Sequence, residues 1–375
     1  MKVSSFREKL LQNLLQLDQS QQVTLANTKD TVIPKEDCGS GSTPLILTCY
    51  DGYTDMVQWM LHNDVDMDQC RDDGVSGLLM AKKDANVDLC NKDGWSPLNT
   101  ASKRGDTNIV KLLLEKDPNV DLCDKDGNSP LLLASLEGHT DIVKLLLEMN
   151  SDVDLCDNEG FTPLITSCSS NNISIVQLLL KHKPDINAQT DDGGNALYFS
   201  ALNGNIDITR LLLENNADCN ICMHSKQSIA ETYTNHRRLT LDKERQSWFD
   251  FLLEKASSNV RDYISDKTVD YGFDVVVSSS PLHIACFMGR TDVVHCLLKY
   301  HVNINMTKED GTTPLFYACE VGHEDIVRLL LDKEADTQIC RLDGKSPLNI
   351  ATDNGHSSIV KMLTEHIKKE ETLSS

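Results

Sequence analysis

Thirteen cysteines, 57 acidic residues and 11 histidines are the groups in this 375-residue chain with the chemistry for a metal or thiol redox centre. Their spacing argues against both. Cys70, Cys90, Cys123, Cys156, Cys222 and Cys340 each lie four residues before the start of a recurring unit. Cys49, Cys168, Cys286 and Cys319 share one small-residue position near the unit's beginning. Cys296 and Cys219 take Leu and Val positions, which leaves Cys38 alone outside the pattern. Equivalent residues of successive packed units sit about 8–10 Å apart, whereas a disulfide needs Cα atoms within about 7 Å. A zinc site needs four converging ligands, and the one short pair, Cys219 and Cys222, has only His224 close by. Packing as small hydrophobes accounts for the thiols better.

The acids fail a similar test. DKDG from Asp124 resembles the middle of a calcium loop, but the first ligand position of that loop is Leu122 and the twelfth is Leu133, where a bidentate acid is required. Asp-Gly instead closes a tight turn with positive φ, and the pair recurs at Asp73, Asp93, Asp126, Asp192, Asp310 and Asp343. His139, His323 and His356 also recur at one repeat position, which argues for a scaffold role. No Ser-His-Asp or Cys-His pair stands out, nor a glycine loop that would cradle phosphate. The residues therefore point to a non-catalytic protein with no cofactor and no metal.

The elements that would position these columns are legible from the glycines. Gly41, Gly74, Gly94, Gly127, Gly160 and Gly193 open similar phrases that return at Ser278, Gly311 and Gly344, mostly 33 residues apart. Pro follows three residues later, as in GSTPLILTC, GNSPLLLAS and GTTPLFYAC, with Ser or Thr before it as a helix cap. A second glycine, at Gly52, Gly105, Gly138, Gly204, Gly289, Gly322 and Gly355, fits a left-handed helix end. A second helix follows at once, in wording such as TNIVKLLL, TDIVKLLL and EDIVRLLL. Its apolar face is too wide to be covered by one neighbour, so each helix pair must be sandwiched between others.

These residues resemble the ankyrin repeat family, whose period is 33 residues and whose phrase is TPLH followed by small residues. The resemblance runs from Gly41 to about Lys368. It implies an all-α solenoid, elongated and curved, of antiparallel helix pairs joined by hairpin-like β-turn fingers. The family's His is present at His283 and replaced by Ile46, Asn99, Leu132, Ile165, Tyr198, Phe316 and Asn349. In the family that His hydrogen-bonds between neighbouring turns.

The array is not uniform. Residues 1–40 hold an amphipathic helix with Phe6, Leu10, Leu14 and Leu17 on one side, read as a cap, and a linker. Residues 41–73 are one repeat, 74–93 a truncated one lacking its second helix, and 94–225 four regular repeats. The truncation is either a hinge or an error in the transcript. Residues 226–277 read as a degenerate repeat with 19 extra residues: QSIAETYTN as first helix, LDKERQSWFDFLLEKA as second helix burying Trp248, Phe249, Leu252 and Leu253, and the remainder as an extended finger or loop. Residues 278–368 are three repeats, the last a C-terminal cap, and 369–375 a polar tail.

With 36 basic and 57 acidic residues the net charge is −21, which repels nucleic acid and anionic membranes and suits a protein partner carrying a basic patch. HRR from His236 is far too small for a nucleic-acid footprint. No apolar run reaches signal-peptide or membrane-span form, so a cytoplasmic monomer is expected, with a nuclear location as the alternative. The resemblance implies partner binding on the concave side, at first-helix ends and finger tips. On this chain those positions include Tyr50, Trp95, Lys103, Arg104, Leu136, Glu137, Phe161, Phe287 and Met288, with Trp95, Lys103, Arg104, Leu136 and Phe161 as the leading patch. The expected function is a scaffold or adaptor. The alternative is the repeat portion of a larger signalling or receptor protein whose effector domain lies elsewhere.

Overall fold

The computed structural model describes residues 48–50, 52, 54–62, 87–235 and 241–373. The expected N-terminal cap, residues 74–86 of the short unit, Cys38, Cys70 and the cluster at His236–Arg238 lie outside the described residues. Among those described there are nineteen named helices, no strand beyond an isolated bridge between Gln189 and Asn195, and no helix long and apolar enough to cross a membrane. The chain divides into two compact units, Met1–Asn158 and Glu159–Ser375.

In the first unit α1 (Thr54–His62) is a second helix, and two full pairs follow: α2 (Pro97–Arg104) with α3 (Thr107–Leu114), and α4 (Pro130–Leu136) with α5 (Thr140–Glu148). In the second unit the pairs are α6 (Pro163–Ser169) with α7 (Ile173–Leu180), and α8 (Ala196–Asn203) with α9 (Ile206–Glu214). Later come α14 (Pro281–Phe287) with α15 (Thr291–Leu297), α16 (Pro314–Val321) with α17 (Glu324–Leu331), and α18 (Pro347–Asp353) with α19 (Ser357–Leu373).

Each first helix except α8 starts where Ser or Thr precedes Pro; α8 is capped instead by Asn195, whose side chain accepts the Tyr198 amide. The hydroxyls of Ser96, Ser129, Thr162, Ser280, Thr313 and Ser346 accept the amide three residues on. Each such cap contributes about 1 kcal/mol, and Pro at the first position gives up no intrahelical bond. Left-handed Gly105, Gly204 and Gly322 end three of the helices. The second helices bury Ile109, Val110 and Leu113, or their equivalents Ile208, Thr209 and Leu212, between neighbouring pairs.

Side chains recurring at fixed positions clamp repeat to repeat. Carboxylate or amide oxygens of Asp88, Asp121, Asn187 and Asn305 accept the amides of Asn119, Asp152, Asp218 and Asp336, each 31 residues on. Finger backbones pair as well: Lys125 N–H donates to Asp93 O, and Leu342 N–H to Asp310 O. The column histidines serve the same purpose, with His139 bonding Lys103 O, His323 Phe287 O and His356 Glu320 O. The motif position behaves alike with a different residue. His283 meets Ser280 Oγ and Thr312 O, and Asn99 joins Ser96 and donates to Asn128 O, so Asn can replace His there.

The finger ladder depends on glycine. Gly94 has φ +82°, and a Cβ there would stand 2.8 Å from the Lys125 amide nitrogen, the donor of the ladder bond. Gly94→Ala is therefore expected to cost about 2–3 kcal/mol, combining left-handed strain with displacement of the next finger. Urea unfolding would measure it, and a cost below about 0.5 kcal/mol would contradict the packing described.

Residues 226–277 depart from the sequence reading in two ways. The stretch taken as an extended finger or loop is helical: α10 (Lys226–Asn235) and α11 (Leu241–Lys255) are followed by α12 (Ser258–Ser265) and α13 (Val269–Val276). Val260 with Ile264, and Gly272, Phe273 and Val276, form their buried stripes, and Thr268 caps α13 by accepting the Tyr271 amide. In addition, the segment takes no place in the stack. α8 packs directly on α14, and α9 on α15. The side-chain clamp jumps the segment too, because Asn220 Oδ1 accepts the amide of Asn303, 83 residues on instead of 31. The excess equals the whole of 226–277, so this is an insertion at a finger and not a degenerate repeat.

Candidate functional site

The first helices present their fourth, seventh and eighth residues on one side, away from the second helices. In the first unit the last two of these positions are open. Lys103 and Arg104 end α2 exposed, and Leu136 and Glu137 end α4 the same way, with Leu136 47 % exposed. The Lys103 ammonium stands 5.0 Å over the half-buried Trp95 ring, and the Arg104 guanidinium 5.0 Å over that of Tyr50, itself 57 % exposed. Each cation–π pair contributes about 0.5–1 kcal/mol at such sites and holds its aromatic ring ready for contact. Gly105 stops α2, and the His139 ring fixes the Lys103 carbonyl, so this edge is rigid. Trp95 is oriented by its own finger, where Asn91 Oδ1 accepts the Trp95 amide.

In the second unit the equivalent positions of α8, α14 and α16 are covered, while Ser170 after α6 and Asp353 at the end of α18 are exposed. Phe287 and Met288 are 0 % and 1 % exposed, so in this structure they are covered and not open as the sequence expectation had them. The insertion covers this side. Tyr271 of α13 lies 6.4 Å from the Phe287 ring, and Phe287 packs edge-on against Tyr317 at 5.2 Å. Phe161, half-buried, touches Phe199 at 5.7 Å, and Phe199 stacks on Trp248 of α11 at 6.1 Å with Phe251 edge-on beyond. Trp248 and Leu252 are buried as the sequence suggested, while Phe249 and Leu253 are half-buried.

Three ionisable groups are sealed under the insertion. The Asp192 carboxylate accepts from the Trp248 indole at 3.0 Å and from the Thr190 hydroxyl, and burial raises its pKa. The Lys308 ammonium donates to the carbonyls of Asp274 and Val275 at the end of α13 and to Tyr317 Oη at 2.7 Å. Burial brings it down to about 8. The Glu320 carboxyl faces the hydroxyls of Tyr263 and Tyr271 and is pushed up, again by burial. Sequence reasoning missed all three, because none stands near its insertion partner in the chain.

The thiols divide by position. Cys49, Cys168, Cys286 and Cys319 are buried, which raises each thiol's pKa. In the other column Cys156 and Cys340 are exposed, so hydrophobic packing does not account for them. The Sγ of Cys90, Cys123, Cys222 and Cys340 lies 3.3–3.6 Å from the carbonyl two residues earlier, closing the turn before each finger. Among the described residues, no group of three or more His, Cys, Asp or Glu converges as a metal site would require.

Comparison with known proteins gives a consistent fold. The family described as "Ankyrin repeats (3 copies)" matches residues 70–157, 149–222, 251–339 and 282–372, and that described as "Ankyrin repeat" matches 40–73. A search of curated proteins finds no match to the sequence. Among solved structures the chain is similar to the human ASB11 ankyrin repeat domain, with a TM-score of 0.52 and 23 % identity over 72 % of this chain and 98 % of that one.

Proposed function

The chain belongs to the ankyrin repeat family, and from that premise we propose that it is a non-catalytic scaffold or adaptor binding a protein on the concave, first-helix face of its first unit. Ankyrin repeats are in general protein–protein interaction modules. The observation that carries the assignment is the open edge of α2 and α4, where Tyr50 with Arg104, Trp95 with Lys103, and Leu136 with Glu137 lie on the side whose counterparts on α8, α14 and α16 are covered. Aromatic and Arg side chains dominate binding energy at such surfaces. Phe161 belongs to the second unit, with its ring half-buried against Phe199.

The chain's charge of −21 steers a basic partner from a distance, and the apolar and aromatic groups of the edge then supply the contact. Truncating Tyr50, Trp95 and Leu136 together is expected to weaken capture of a specific partner at least 30-fold, or about 2 kcal/mol. The measurement is quantitative affinity purification of the full chain beside the triple Ala variant. An unchanged set and yield of captured proteins, with the variant's circular dichroism intact, would remove this edge from consideration.

A further inference from the structure

The first-helix face of the second unit already has an occupant. We propose that helices α10–α13 form a detachable internal lid, which leaves and re-covers the face formed by α8, α14 and α16 without unfolding the repeats.

The connections permit it. The chain leaves the stack and rejoins it at one point: Ser278 N–H donates to His224 O at 3.0 Å, and Met223 N–H to Ser279 O at 3.0 Å. The helix pairs on either side pack on each other directly, and the Asn220 to Asn303 clamp bypasses the segment. Every stack contact of α8, α9, α14 and α15 can therefore persist with the segment displaced.

The chemistry of the covered face also favours an interface that opens. A permanent interface is richest in apolar groups, and this one does contain Phe199, Trp248, Tyr271 and Phe287. Yet it also seals Asp192, Lys308 and Glu320, which are 6 %, 6 % and 4 % exposed. Their hydrogen-bond partners across the interface are neutral, an indole N–H, backbone carbonyls and tyrosine hydroxyls, although Arg341 and Lys267 face Glu320, and Asp310 and Asp274 face Lys308, from farther off. Neutral partners repay the desolvation of a charge only in part. Displacing the lid returns all three groups to water, which offsets part of the apolar area lost. Further ties across the interface are Arg290, which donates to the Lys255 carbonyl, and Tyr263, whose hydroxyl meets Glu320 and Asn354. Lys226 with Asp274, and Lys267 over Tyr263 and Tyr271, are contacts within the segment and hold it together as a unit.

The functional meaning of the lid rests on the reading that this side of the repeats binds partners: a partner of the second unit has to displace it. The lid itself can be tested without a partner, so its failure is distinct from failure of that reading. The experiment is native-state hydrogen exchange on the full chain over a series of low urea concentrations, with Asp192→Asn and Glu320→Gln as comparison variants. The amides of α11 and α13 are expected to exchange together, through an opening at least 100-fold more frequent than that exposing α8 and α14. Each variant replaces a buried carboxylate by a neutral amide and should make that opening rarer. The proposal is overturned if α11 and α13 exchange only in the same global event as α8 and α14. It is equally overturned if they exchange one amide at a time, at rates that neither variant changes.

Discussion

Replacing Trp248 by Ala is expected to lower the stability of the insertion's attachment by about 3–5 kcal/mol, in the range for truncating a large buried aromatic. Two losses combine. The indole stacks on Phe199 at an interplanar angle of 17° and sits edge-on to Phe251, so its removal empties the centre of an aromatic cluster. Its Nε1–H is also a donor to the Asp192 carboxylate, which burial keeps from water. Trp248→Phe separates the two: the ring is largely kept, the donor is lost, and the cost should fall to about 1–3 kcal/mol. Adding Asp192→Asn to Trp248→Phe should recover part of that cost, because a neutral amide left short of one donor is cheaper to bury than a carboxylate. Urea unfolding of these three variants beside Asp192→Asn alone and the wild type, followed by far-ultraviolet circular dichroism, completes the cycle. If Trp248→Ala costs less than about 1 kcal/mol, the stacked geometry is not what holds the segment.

How much of this could be read from residues depends on how far apart the partners are. The repeat was legible because every determinant is local: Ser129 caps three residues ahead, Pro130 begins its helix, and Ile142, Val143, Leu146 and Leu147 line one face. The insertion was not. Its 52 residues admit division into one period of 33 with a remainder, and spacing alone does not distinguish that from a segment bypassed entirely. The α12 and α13 stripes are short, and polar residues such as Asp262, Asp266 and Asp270 interrupt the stretch, which favoured a loop reading. The open edge at Lys103 and Leu136 was found by repeat register. That register assigned Phe287 and Met288 to the same surface, since it carries no knowledge of what the chain lays over it. Aromatic excess was the missed clue. Trp248, Phe251, Tyr263 and Tyr271 are too many large side chains for a tolerated loop.

The same register yields the second large effect, at His283, on acidification. Its imidazole is fully buried, and desolvation, with the Lys308 ammonium adding to it, holds its pKa at about 3 against an ordinary 6.5. The folded protein therefore keeps it neutral where the unfolded chain binds a proton. A depressed folded pKa gives stability that is whole above pH 6.5 and lost as pH falls from there towards 3, on the order of 5 kcal/mol in all. Asp192 and Glu320 act with the opposite sign, since their raised pKa values make folding easier as they protonate. The His283 contribution must therefore be isolated by substitution. Asn is the informative choice, because Asn99 and Asn349 make the same capping box at this position and Asn99 also reaches the next repeat's carbonyl. His283→Asn should thus fold at neutral pH and lose much of the wild-type decline between pH 6.5 and 4. His283→Ala, which leaves the Thr312 carbonyl unmet and a cavity beside Tyr317, should cost about 2–3 kcal/mol even at pH 7. Chemical denaturation at a series of pH values compares the three, and a His283→Asn profile parallel to wild type would show that this buried ring does not govern acid stability.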